Sequence, residues 1–113
     1  MSNYNLSEVK EMAGGDDDFM KVVVQTFLEE IPPDVEATNE AISNDNPTLA
    51  YQYAHKMKPN LQLFGLELMD EVKVIESWAK AGKKKDDVPE AATKITKKVN
   101  VATIALKRDF ELE

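Results

Sequence analysis

Apolar residues recur along this chain at the three- and four-residue spacing of a helix face, and no stretch alternates as a half-buried strand would. The clearest run is Ala50, Ala54, Met57, Leu61, Phe64 and Leu68, separated by four, three, four, three and four residues. A broader stripe runs Phe19, Met20, Val23, Val24, Phe27, Leu28 and Ile31, and continues past Pro32 and Pro33 as Val35, Ala41 and Ile42. Proline costs ~3 kcal/mol inside a helix but suits a first turn. The pair therefore predicts a kink, or one helix ending and another starting on nearly the same axis. A further stripe holds Leu68, Met69, Val72, Ile75 and Ala79, with Trp78 nearby, and a last one Ala92, Ile95, Val99, Ala102, Leu106 and Phe110. A short leading segment has Leu6, Val9 and Met12 as its apolar face.

Polar and special residues punctuate these runs. Asn5 or Ser7 can cap the short first helix, and Gly14 and Gly15 end it. Asp16, Asp17 and Asp18 stand at the mouth of the second helix, where carboxylates cap free amides and suit the dipole. The alternating oxygen ligands and closing glutamate of a calcium loop are absent from that cluster. The SNDNP run at 43–47 reads as a turn, with Asn46 or Thr48 starting the next helix. Pro59 removes an amide from that helix and leaves the carbonyl of His55 without its usual partner. Gly65 ends the run or admits a close neighbour, Gly82 closes the fourth helix, and Pro89 starts the last. The elements expected are a short helix over about 5–12, a kinked helix over about 16–44, and helices over about 47–64, 67–81 and 89–111. They predict a single all-α domain over residues 1–113, an antiparallel up-down-up-down four-helix bundle preceded by a short N-terminal helix.

Composition adds bounds. The chain has no cysteine, which removes disulfides, thiolate metal sites and cysteine nucleophiles. The net charge of −7 is uneven: residues 1–54 carry eleven acids and two bases, and residues 55–113 carry ten acids and twelve bases. Such a chain is expected to repel nucleic acid, and Lys83, Lys84 and Lys85 read as a solvated loop. The polar opening MSNYNLSEVKEM is not that of a signal peptide, and no apolar run approaches the ~20 residues of a membrane span. A cytoplasmic monomer with no membrane attachment is expected.

The chemistry turns on His55, the only histidine. At ~100° per residue, the Ala50–Leu68 stripe centres about 140° from His55, so the imidazole is expected to face solvent. Tyr51, Gln52, Lys58, Pro59 and Gln62 share its outer face, with Lys56 near the side of that face. Competing arrangements fail one by one. There is no phosphate-cradling glycine loop, no HExxH and no second histidine for a metal pair. A carboxylate di-metal bundle needs Glu three residues before His, where Gln52 stands, and the core stripes show no inward carboxylate. A serine–histidine–aspartate site needs a cleft rather than a convex helix face. What remains is the imidazole as nucleophile, since an imidazole in water titrates near ~6.5 and keeps a free ring lone pair at neutral pH. Lys58, one turn on, can neutralise charge on a phosphoryl group carried by the ring.

The segment Ala54–Gly65, AHKMKPNLQLFG, resembles the histidine-containing phosphotransfer (HPt) domain, whose motif reads H-x-L-K-G-x(5)-G. His55 matches the phosphoacceptor, Met57 the buried leucine, Lys58 the lysine and Gly65 the second glycine; Pro59 stands in place of the first glycine, as a compact residue unable to reach outward. Upstream, DxxFMKxxxxxFLEEIP over Asp16–Pro32 is similar to the family's opening helix, and the likeness spans about residues 10–82. The resemblance implies a phosphorelay carrier that accepts a phosphoryl group on His55 from a receiver aspartate and passes it to another. It implies no kinase domain, ATP site or cofactor in this chain, with Mg²⁺ held by the partner receiver. The partners implied are response-regulator receivers and a hybrid histidine kinase. Tyr51, Gln52, Lys56, Pro59, Gln62, Gly65 and Leu66 are expected to meet the receiver, and Glu76 or Ser77 to approach the histidine from the following helix. The other reading is a helical adaptor without covalent chemistry, in which the His55 face is a binding patch only.

Overall fold

In a computed structural model, which describes residues 4–81 and 86–112, the chain forms five helices and no strand among the described residues. They are α1 (Ser7–Ala13), α2 (Asp17–Ser43), α3 (Pro47–Leu63), α4 (Met69–Ala81) and α5 (Asp87–Asp109). Three of the starts have a local cause in a side chain. The side chain of Asp16 accepts from the amides of Asp18 and Phe19 at 3.0 and 3.2 Å, and Asn46 accepts from the amide of Leu49 at 3.1 Å with Pro47 in the first turn. Asn5 rather than Ser7 serves α1, accepting from the amide of Ser7 at 2.9 Å.

Three helices end in the same way. After α3, the Gly65 amide donates to the Gln62 carbonyl at 3.0 Å and the Leu66 amide to the Leu61 carbonyl at 3.1 Å, with Gly65 left-handed at φ +64°. Asp45 and Glu111 occupy the corresponding left-handed position after α2 and α5. The motif folds the next residue back against the helix. Asn46 is thereby placed to end α2 and cap α3 at once.

Among the long helices α2 packs on α3 and α5, and α4 packs on the same two, so the four close a ring, with α1 lying on α2. At 1.5 Å per residue, α2 would be about 40 Å long, close to the 45 Å long axis of the molecule. The core that fills the ring includes Phe27, Ile31, Met57, Leu61, Phe64, Ile75, Trp78, Ile95, Val99 and Leu106. The Phe27 and Phe64 rings meet at 4.3 Å between centroids, which locks α2 to the end of α3. No described helix is long and apolar enough to cross a membrane.

Several expectations are corrected. Of the two outcomes expected at Pro32 and Pro33, only the start of a second helix falls away: α2 runs unbroken through both, over nearly the bounds expected. α5 begins two residues before Pro89. Met12 and Phe19 are exposed, because each lies in a terminal turn, of α1 and α2 respectively. Trp78, not Ala79, is the fully buried residue of α4's last turns. The stripe of α2 also passes through two polar residues, Asp34 and Thr38, both buried. An inward carboxylate therefore exists, contrary to the sequence expectation. The expected stop at Gly82 and the run Lys83–Lys85 lie outside the described residues.

Candidate functional site

α3 presents His55 on its outer face with the side chain 62 % exposed, as the phase of the apolar stripe requires. Ala54 and Met57, on either side in sequence, are fully buried, so the helix is held firmly beneath an open ring. α4 packs beside α3 and brings one carboxylate to it. Glu76 Oε2 lies 3.4 Å from His55 Nδ1, and its two oxygens accept from Lys58 Nζ at 3.2 and 3.4 Å. Glu76 is only 13 % exposed and Lys58 31 %, so these two form a partly dry base under the ring. The ring of Tyr51, one turn earlier, stacks on His55 at 5.6 Å between centroids and 7° between planes. The register question between Glu76 and Ser77 is thus resolved for Glu76; Ser77 is exposed.

This geometry fixes the chemistry of the ring. Burial alone pushes the Glu76 carboxyl up, but hydrogen bonds from Lys58 and His55, with the charges of both, outweigh it and hold the group below the usual glutamate value. The carboxylate is therefore ionised at neutral pH and can only accept. Nδ1 must carry a proton to bond to it, which leaves the lone pair on Nε2. No described residue hydrogen-bonds to Nε2. The arrangement amounts to an exposed nitrogen nucleophile with its tautomer set by a carboxylate and a lysine within reach of what the ring could carry.

The other residues expected to face a partner divide into groups. Gln52, Pro59 and Gln62 are exposed and Tyr51 half-buried, all on the face that holds His55. Lys56 turns the other way: its Nζ lies 3.3 Å from Oδ1 of Asp34 on α2. Asp34 is 9 % exposed, and its second oxygen is buried without a hydrogen-bond partner. Gly65 and Leu66 do not belong to the face. The left-handed turn carries Leu66 back into the core, where it is 2 % exposed. Gly65 lies under the N-terminal segment: the Asn5 amide donates to the Phe64 carbonyl at 2.8 Å, and a Cβ on Gly65 would meet the Cβ of Asn5 at 2.6 Å. The sequence carried a signal for Asp34, since Phe27, Ile31, Asp34, Thr38 and Ile42 keep helical spacing through the stripe.

Fold and site together define a class: an all-helical protein whose outer helix face offers one imidazole backed by a partly buried carboxylate–lysine pair. Comparison of the chain with protein-family models, curated proteins and solved structures returns no match.

Proposed function

We propose that this chain is a phosphorelay carrier that takes a phosphoryl group onto Nε2 of His55 from the aspartyl phosphate of a receiver domain and delivers it to another. The observation that carries the reading is the shared carboxylate of Glu76, which orients the exposed ring through Nδ1 and holds Lys58 beside it. Phosphoryl transfer asks a protein for positioning and charge neutralisation rather than elaborate covalent chemistry. A small convex site suffices when the partner supplies the rest. The resemblance of Ala54–Gly65 to the HPt motif supports the same reading, and the closed ring of α2–α5 with tight turns suits an antiparallel up-down-up-down bundle. In this account the receiver brings Mg²⁺ and its acidic pocket, and Tyr51, Gln52, Pro59 and Gln62 form the docking face around the ring. The carrier works in the cytoplasm as a monomer, binds no nucleotide and needs no kinase domain of its own.

The test is to incubate the protein with receivers phosphorylated on aspartate, in Mg²⁺, and to look for label that is acid-labile and base-stable. Wild type takes such label and His55→Gln takes none. Equal label on both proteins, or none on wild type across a panel of receivers, overturns the proposal and leaves a helical adaptor.

A further inference from the structure

We infer that Glu76 holds the ring proton of His55 on Nδ1 through both halves of the transfer, so that the phosphorylated ring is kept as a cation poised to give its phosphoryl group away. The inference rests on the phosphocarrier reading and concerns how the same site is regulated. In the loading step the Nε2 lone pair forms the N–P bond, and the P–O bond to the donor aspartate breaks with its electrons going to that carboxylate. The ring becomes an N-phosphoimidazolium whose Nδ1–H remains bonded to Glu76. In the unloading step the acceptor carboxylate attacks phosphorus and the N–P electron pair returns to Nε2. The leaving group is then a neutral imidazole with its proton already on Nδ1. No proton has to enter or leave.

Without a carboxylate at Nδ1 the phosphorylated ring sheds its proton more readily. A neutral phosphoimidazole would have to expel an imidazolate anion, a far poorer leaving group, and would store the phosphoryl group instead of passing it on. Glu76 therefore acts as a positioning and proton-holding residue. The 3.4 Å contact to Nδ1 and the 13 % exposure of Glu76 place a fixed negative charge where the ring cation forms. The other charged groups around the ring are fewer than the sequence suggests. On α3, Lys58 is occupied by Glu76 itself, Lys56 is drawn to Asp34 of α2, and Tyr51 contributes a ring face. On α4, Lys73 and Lys80 stand one turn either side of Glu76 and are exposed. As the phosphoryl group arrives, its charge competes with Glu76 for Lys58. That competition further favours a labile load.

The experiment bypasses any receiver. Wild type and Glu76→Gln are phosphorylated chemically with phosphoramidate, and the ring of phospho-His55 is titrated by ³¹P and ¹⁵N NMR while its hydrolysis rate is followed against pH. Gln keeps the shape and an acceptor oxygen but removes the charge. The expected result is phosphorus on Nε2 in both proteins, with ring proton affinity lowered roughly three- to tenfold in Glu76→Gln. The pH profile of hydrolysis should move by the same amount. Equal titration midpoints in the two proteins, or modification of wild type at Nδ1 or not at all, would overturn the inference. Lys58→Met serves as a second variant: it leaves the Glu76–His55 pair in place, so a midpoint that falls as in Glu76→Gln also contradicts the assignment. Because the load is applied chemically, these outcomes speak to Glu76 whether or not a receiver ever labels His55.

Discussion

Two lysines two residues apart on α3 each pair with a carboxylate on a neighbouring helix, buried for Asp34 and partly buried for Glu76, yet the two pairs differ in what else they hold. Lys56 reaches back to Asp34 on α2 at 3.3 Å, is itself 59 % exposed, and leaves one Asp34 oxygen buried and unpartnered. Lys58 reaches across to Glu76 on α4, which spends both oxygens, one of them shared with His55. An ion pair of this kind is by itself weak grounds for function, since burial costs much of what attraction returns. The third group makes the difference. On the α4 side the carboxylate also bonds an exposed imidazole, the nucleophile of the proposed function; on the α2 side it only links two helices.

The largest effect that would break this comparison concerns Lys58. Lys58→Ala is expected to slow phosphoryl transfer from a receiver about a hundredfold, the scale of removing one stabilising donor from a transition state, while circular dichroism stays helical. Next comes Lys56→Ala, which strands the buried Asp34 carboxylate. It should cost about 1–2 kcal/mol of stability, read from urea unfolding, and change transfer by less than about twofold. The smallest effect is acid sensitivity. Because Glu76 titrates lower in the folded chain than in the unfolded one, its contribution is complete above the ordinary glutamate range and is lost as pH falls through the lower folded value. Unfolding midpoints of wild type and Glu76→Gln should therefore converge on acidification, by under ~1 kcal/mol, the scale of a single ion pair near a surface. A constant gap across the acid range would show that the carboxylate is not held by its partners.

Most of the fold and half of the site were legible in the sequence, and the residues say why. The outward phase of His55 followed from the spacing of Ala50, Ala54, Met57 and Leu61, because a single regular helix transmits phase without tertiary information. Lys58 followed from the same wheel. The residue of α4 that approaches His55 could not be chosen between Glu76 and Ser77, since that depends on how α4 is set against α3 after the turn at Gly65, a register no local pattern encodes. Leu66 was misplaced for a related reason: beyond Phe64 the helical wheel no longer applies, and the left-handed glycine returns the next apolar residue to the core. Asp34 was overlooked because an aspartate following two prolines reads as a polar break, whereas α2 continues through it. Phe19 and Met12 err the opposite way, as apolar residues in terminal turns that neighbouring helices do not fully cover.

The two carboxylates give the most direct test of the central claim, that the α4 side of His55 is chemistry and the α2 side is architecture. Glu76→Gln and Asp34→Asn are charged from the same phosphorylated receiver, and transfer rate and melting temperature are measured on each. Glu76→Gln is predicted to transfer roughly tenfold more slowly, as expected when a charge-assisted contact loses its charge, with a smaller drop in melting temperature than Asp34→Asn. Asp34→Asn is predicted to transfer at the wild-type rate but to melt several degrees lower, at a cost of about 1–2 kcal/mol for a buried amide donor left unpaired. Equal transfer by the two variants, or a slower Asp34→Asn, would contradict the account.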